Sequence, residues 1–282
     1  MPEMPEVITV VKDLKPKVIN KKIKKIIIIK PKLIKETTEK EFNNFLIDET
    51  IKNIFNLGKH IIFQLSNDKY LLSHLRMTGK YFTHKYLRKP TMHDCLVFEF
   101  EDNTALYYND SRQFGTFYIK NKQDLYTTKP LDKLGKIPGE IDIDEFYKKI
   151  KNRRIVIKTL LLDQSLVLGI GNIYANEALF AAKIHPNTPT NQLSKEEISL
   201  ALKHAQSIMD HSTKLGGSSI DSYTSVDGVK GGFQKLLKVH LRNNKPCLVC
   251  STPINKIWIN GRGTYYCPNC QKLKEVTNAK KI

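Results

Sequence analysis

The sequence has few acids, no long apolar run and only five cysteines, an odd number, and each of these features weighs against a class of protein. Lys and Arg outnumber Asp and Glu by 46 to 28, leaving a formal charge of +18. Such a surface suits an anionic partner, either nucleic acid or an anionic membrane. Part of the excess, in KKIKKIIIIKPKLIK, reads as compositional drift laid over a strand. The longest purely aliphatic run is Ile26–Ile29, far below the roughly 20 residues that span a bilayer. The acidic, proline-containing start is no signal peptide, so a soluble cytoplasmic protein is expected. Basic residues are dispersed and no strongly amphipathic basic helix stands out, which makes the membrane surface the weaker partner. Five cysteines are present. Four form two C-x2-C pairs, Cys247 with Cys250 and Cys267 with Cys270, and Cys95 stands alone; this is metal arithmetic.

What is there suffices for more than one core: 282 residues, 40% hydrophobic and 9% aromatic. A first helix around VITVVKDL gives way, from residue 22 to about 120, to strand alternation in KHIIFQL, KYLLSHL, CLVFEFE and TALYY. Hairpin turns fall at Ser66-Asn67-Asp68 and Asp102-Asn103. The reading is an α+β multidomain chain. Residues 1–133 form a β-sandwich carrying one N-terminal helix, 134–144 a linker, 145–240 a helical domain and 241–282 a cysteine module. Helical periodicity runs through EFYKKIKNRRIVIKTLLLD, NIYANEALFAAKI and SKEEISLALKHAQSIMDHSTKL. Between the last of these and the cysteines, the Gly/Ser-rich stretch 216–233 reads as a mobile loop.

The two cysteine knuckles lie sixteen residues apart, a spacing suited to four thiolates closing tetrahedrally on one structural zinc. A 36-residue tail can hardly fold without such a staple. Between the knuckles, KIWINGRGTYY reads as a hairpin with Arg262 at its tip, placed either to grip a phosphate or simply to sit in solvent. In LVLGIGNIYANEALF, Gly169 and Gly171 permit a tight turn and Asn172 is a good N-cap, so the following helix start is a candidate anion site or an ordinary helix entry. Met77 in HLRMTGK, with Arg112 and Phe114 in NDSRQFGTF, occupies loop positions where it could wedge into a duplex and fill the gap of an extruded base, or could pack as core. Lys59 follows Gly58 at the start of an apolar strand, where it is either solvated or turned towards a phosphate or a reacting sugar.

The start, MPEMPEV, poses the sharpest alternative. Pro5 and Glu6 suit the first turn of a helix, where proline loses nothing and an acid complements the dipole. Yet removal of Met1 would expose Pro2 as a secondary amine, and an α-amino group (pKa about 8) is a far better free base than lysine (about 10).

Taken together, MPEMPEV, LGKHIIF, HLRMTGKY, NDSRQFGTF, LLLDQSLVLGIGNIYANEALFAAKIHP and GRGTYYCPNCQ resemble the formamidopyrimidine-DNA glycosylase family from the first residues to the last cysteine. The long block is similar to the family's helix–two-turns–helix element, and GRGTYYCPNCQ to its zinc-finger hairpin. The resemblance implies a bifunctional glycosylase and abasic-site lyase acting on double-stranded DNA with oxidised purines such as 8-oxoguanine and formamidopyrimidines. It implies a monomer, cytoplasmic and nucleoid-associated, with one structural zinc. Pro2 would be the nucleophile, Glu3 the general acid/base, and Lys59 would act beside them while Glu6 fixes the N-terminal geometry. Met77, Arg112 and Phe114 would fill the void, His93, Asn172 and Arg262 would hold phosphates, and the loop near 216–233 would cover the extruded purine. An oxidised-pyrimidine preference and a non-catalytic zinc-containing DNA-binding protein are the alternatives. Leu241 departs from the pattern, standing where the family usually has glycine.

Overall fold

Apolar side chains at Val7, Val10, Val11, Leu14 and Val18 mark one stripe of a helix, and the chain forms it as α1, Met4–Val18, with Glu3 at the N-cap and Pro5 in the first turn. The structure, a computed structural model, describes residues 2–218 and 231–274. It divides into two units, one of 1–133 with 212–235 and one of 134–211 with 236–282.

In the first unit, two four-stranded antiparallel sheets supply the sandwich expected from the alternating sequence. One is ordered β1 (Ile23–Ile28), β6 (Asp94–Phe100), β7 (Ala105–Asn109), β5 (Lys80–His84); the other is β2 (Ile51–Leu57), β3 (His60–Leu65), β4 (Lys69–His74), β8 (Thr116–Asn121). Inward-facing residues of both sheets and the apolar stripe of α1 share one core. Its centre is a chain of edge-to-face rings, Phe63 on Tyr81, Tyr81 on Tyr108 and Tyr108 on Phe117, with centroids 5.9, 5.2 and 4.8 Å apart. Asn67, Asp68 and Asn103 take positive φ at the two expected turns, as short polar side chains tolerate. The sandwich carries a second helix that the alternation reading overlooked, α2 at Glu39–Leu46. Thr38 and Glu41 form its capping box and Phe42 and Leu46 bury its inner face, so eight residues suffice.

The second unit holds α3 (Ile143–Ile150), α4 (Ile157–Leu162), α5 (Asn172–Ala181), most of α6 (Lys195–Lys214) and the hairpin β9 (Asn255–Ile259)–β10 (Arg262–Tyr266). The single helical stretch read through EFYKKIKNRRIVIKTLLLD is in fact two helices. The chain leaves α3 at Lys151, and Val156, extended at φ −69° and ψ 144°, restarts it as α4. Among the described residues no helix is long and apolar enough to cross a membrane.

Candidate functional site

At the start of α1, Pro2, Glu3 and Glu6 are all buried, the two glutamates at 2% and 1% exposure. First-turn acids ordinarily lie in solvent; here the Glu6 carboxylate is a junction. One oxygen accepts the Glu3 amide at 2.8 Å and the other the Ser218 amide at 2.7 Å. Gly217, at φ +83°, lies so close that an added Cβ would stand 3.0 Å from the Glu6 carboxylate, so a larger residue there would be strained and crowded. The strand pairing of Ser218 with Gly232 closes the base of the Gly/Ser-rich stretch. The loop expected at 216–233 is described only at these two ends, and 219–230 lie outside the described residues.

Lys59 follows Gly58, whose φ of +54° makes the β2–β3 turn, and the lysine is buried. Next to it His60 pairs across the sheet with His74, the two imidazoles meeting edge to face at 4.7 Å. Burial first, then the nearby cations of Arg76 and Lys59, pushes His60 down to about 4. Burial likewise holds His74 well below the ordinary range, with its Nδ1 accepting the Arg76 amide at 3.0 Å. Both rings are therefore neutral near pH 7.

Three loops at one end of the strands carry the other candidates of this unit. Met77 is half-buried in the β4–β5 loop, His93 half-buried before β6, and Arg112 and Phe114 exposed between β7 and β8. The Arg112 guanidinium sits 4.7 Å from the Phe114 ring centroid. Phe114 is 52% exposed, so it is not the core residue that its neighbourhood of strands would suggest. Two buried aspartates hold these loops. Asp94 accepts from Arg88 Nη1 (2.8 Å), the Thr91 amide (2.7 Å), the Thr91 hydroxyl (2.8 Å) and Asn109 Nδ2 (3.0 Å). Asp110 accepts the amides of Phe114 and Gly115 at 2.9 and 2.8 Å. Sequence reasoning missed both acids, as well as His60 and His74. For Asp110, an aspartate opening a polar loop was the available signal, since its short carboxylate turns back onto following amides; Asp94 closes its loop and accepts from the preceding Arg88 and Thr91. Cys95, fully buried, points its thiol at the His93 and Asp110 carbonyls, 3.4 and 3.7 Å away, and serves packing.

In the second unit Asn172 is not the N-cap of α5 as the motif suggested. Gly171 takes that place, and Asn172 begins the helix with its Nδ2 donating to the Gly263 carbonyl at 3.0 Å. The amide thus ties α5 to the β9–β10 hairpin and has a second N–H left to offer. The hairpin is pinned twice more, by Lys158 Nζ on the Thr264 hydroxyl at 2.6 Å and by Asn260 Nδ2 on the Thr159 hydroxyl at 2.8 Å. At its tip Arg262 is exposed beside Gly261, whose φ is +69°. Glu177 of α5 is buried and accepts the amides of Lys238, Val239 and His240 at 2.9, 3.0 and 2.8 Å, fixing the segment that enters the cysteine module; burial pushes its carboxyl up. Leu241, next in line, has φ +58°. That left-handed backbone is the reason glycine suits the position, and a leucine there carries strain.

The four cysteine sulfurs lie within 4.8 Å of one another. Separations of 3.9 Å (Cys247 to Cys270), 3.4 Å (Cys250 to Cys267) and 3.5 Å (Cys270 to Cys250) approach the roughly 3.8 Å edge of a tetrahedron with 2.3 Å Zn–S bonds, and are far longer than a disulfide. The amides of Val249 and Cys270 point at the sulfurs of Cys247 and Cys267, both at 3.4 Å. The donor set fits one zinc ion, fully coordinated by protein, whose role is to hold the module's shape.

Comparison with known proteins agrees along the whole chain. Residues 1–117 match the formamidopyrimidine-DNA glycosylase N-terminal domain, 135–224 the H2TH domain of the same enzymes, and 244–273 the zinc finger found in FPG and IleRS. The formamidopyrimidine-DNA glycosylase of Mycoplasma mobile is 50% identical over 273 residues, covering 97% of this chain and all of the relative. That of Mycoplasmopsis pulmonis is 50% identical over 276 residues, covering 98% and 99%. Among solved structures, a variant of the Lactococcus lactis enzyme bound to a Fapy-dG containing DNA superposes with a TM-score of 0.90 at 37% identity, covering 96% of this chain and 100% of that one. The wild-type Lactococcus lactis enzyme with an oxidised pyrimidine containing DNA gives 0.89 at 36%, with the same coverage. The chain belongs to the formamidopyrimidine-DNA glycosylase family.

Proposed function

We propose that this DNA glycosylase excises oxidised purines from duplex DNA with the nitrogen of Pro2 as nucleophile, and then cuts the strand as a lyase. The observation that carries the reading is the burial of Glu3 and Glu6 beside Pro2. The Glu6 carboxylate is satisfied by the Glu3 and Ser218 amides, in part as a capping box, but capping works equally well in water; two carboxylates withdrawn from solvent beside Pro2 suit acid/base work at that nitrogen.

The Pro2 nitrogen attacks C1′ of the damaged nucleotide, and the glycosidic bond breaks with its electron pair leaving on the base. Glu3 donates the proton that the opening sugar or departing base requires. The Pro2 N–H proton is lost and the C1′–O4′ bond opens, O4′ taking a proton from Glu3, so that the adduct of this secondary amine is an iminium, cationic without further protonation. The positive charge acidifies the C2′ proton, whose removal expels the 3′ phosphate, and a second elimination expels the 5′ phosphate. Water then releases Pro2. Glu6, bonded to the Glu3 amide, sets where the N-terminus lies. Lys59 pairs with a phosphate beside the sugar. His93 in the first unit, and Asn172 and Arg262 in the second, hold further phosphates, while Met77, Arg112 and Phe114 fill the space of the extruded base. The protein acts as a cytoplasmic monomer and needs no membrane. A preference for oxidised pyrimidines is the second reading, favoured by the DNA bound to the Lactococcus lactis relative; a panel of lesion duplexes separates the two.

The decisive test is to cover the Pro2 nitrogen. An uncleaved N-terminal tag, or retention of Met1, is expected to abolish base release and borohydride cross-linking to lesion DNA while fold and DNA affinity persist. Glu3→Gln is expected to slow base excision more than cutting of a preformed abasic site. Cross-linking by the tagged protein would move the nucleophile elsewhere, with Lys59 the first suspect.

A further inference from the structure

Asp110, fully buried at the end of β7, binds more than its own loop. While one carboxylate oxygen takes the Phe114 and Gly115 amides, the other accepts the Arg112 amide at 3.2 Å and the Thr78 hydroxyl, which belongs to the Met77 loop. The Thr78 oxygen in turn accepts the Arg112 amide at 3.2 Å. The Asp110 amide donates to the His93 carbonyl at 2.9 Å. A second tie lies underneath. A Cβ on Gly79, which ends the Met77 loop, would stand 2.2 Å from the Tyr108 hydroxyl, and one on Gly115, which ends the Phe114 loop, 1.8 Å from the same atom. Both loops therefore end on glycines laid against one buried tyrosine.

We propose that Thr78 and Asp110 are positioning residues that join the Met77 loop and the Arg112–Phe114 loop into one element, so that the side chains on both enter the duplex together. The inference rests on the void-filling reading of those side chains. Its physical content is cooperativity. Loops hinged separately would each lose conformational freedom on insertion, whereas loops already joined lose it once, before DNA arrives. A carboxylate suits the junction because it can accept all four donors, and a hydroxyl suits the crossing because it both donates and accepts.

The test is a double-mutant cycle read on excision from lesion DNA. Met77→Ala and Phe114→Ala are combined in the wild type and again in Thr78→Val, with unfolding midpoints confirming the fold. In the wild type, the double variant is expected to depart from the product of the single effects by at least about threefold. In Thr78→Val the effects should multiply independently. Thr78→Val alone should excise about tenfold more slowly, and Thr78→Ser, which keeps the hydroxyl, should return to within about twofold of the wild type. Independent effects in the wild type, or a Thr78→Ser protein as slow as Thr78→Val, would overturn the coupling. Single variants without any effect on excision would instead overturn the void-filling reading beneath it. Should Thr78→Val not fold, hydrogen exchange on the wild-type protein decides. The amides of Gly79, Arg112, Phe114 and Gly115 should open at a common rate, and rates differing by more than about tenfold would mean that the loops move apart from each other.

Discussion

Asp94 ties the β5–β6 loop, and with it His93, to the sandwich, and acid should undo that tie in a calculable way. Its carboxylate is fully buried, yet it is held down to about 2 from the ordinary 3.8. Burial works against the charged form and is outweighed by the bonds from Arg88, Asn109 and Thr91. Because the folded state binds the proton more weakly than the unfolded one, the contribution to stability is complete above about pH 4 and is lost as the pH falls through about 2. The gap corresponds to about 2 kcal/mol. Asp94→Asn removes the charge and with it the charge-assisted strength of the bonds from Arg88, Asn109 and Thr91. At pH 7 the variant should therefore melt about 4–8 °C below the wild type. Thermal unfolding of both proteins from pH 7 down to 2.5 checks the argument. The difference should hold down to about pH 4.5 and then shrink, because protonated Asp94 resembles asparagine. A difference that stays constant to pH 2.5 would show that packing, and not the buried charge, accounts for it.

Two further outcomes follow from the same structure. Zinc removal by a chelator, or Cys267→Ser, should unfold the cysteine module and cost DNA affinity, because a small core of Val239, Ile254 and Tyr265 around the cysteines is too little without the metal; full affinity in protein shown by elemental analysis to lack zinc would contradict this. DNA binding should weaken with salt, log K falling against log salt with a slope near −4 to −5 if about four to six phosphates are neutralised, and titration by fluorescence anisotropy that gives a flat line would remove the charged-surface picture.

Local signals made much of this molecule readable. Alternation in KHIIFQL and CLVFEFE predicts strands because one face of each is buried, and the two C-x2-C knuckles predict a metal site because spacing alone brings four thiolates together. The hidden part was long-range. Nothing in NDSRQFG says that Asp110 reaches the hydroxyl of Thr78, thirty-two positions earlier, and nothing in MPEMPEV says that Glu6 receives the amide of Ser218. Asn172 misled for the same reason. A good N-cap residue at a helix start is assigned by propensity, but the carbonyl of Gly263, brought near by the hairpin, drew the side chain away and left the cap to Gly171. Side chains whose partners lie far along the chain keep their roles out of local sequence, and here they are the ones that place the candidate site.

The arrangement of charge bears on how this chain can be strongly basic and still present defined cations to DNA. Many of its lysines are already engaged. Lys21, Lys22 and Lys24 pair with Asp102, Glu101 and Glu99 at 2.8, 2.8 and 3.0 Å, so the start of the lysine-rich run is matched by acids of its neighbouring hairpin. Arg88 is likewise consumed, bonded to Asp94 and stacked 4.1 Å from the centre of the Tyr107 ring. The loop that carries Arg112 is organised differently. Asp94 orders the loop of His93 partly by pairing with its Arg88, whereas Asp110 binds the Arg112 backbone and leaves the guanidinium outside. Glu6 and Glu177 do the same for the amides at 218 and 238–240. An acid that accepts backbone amides orders a loop without neutralising its cation, whereas an acid that pairs with the side chain does both. The salt slope should accordingly follow proposed phosphate ligands such as Arg262, and replacing the paired lysines Lys21, Lys22 and Lys24 should leave it nearly unchanged.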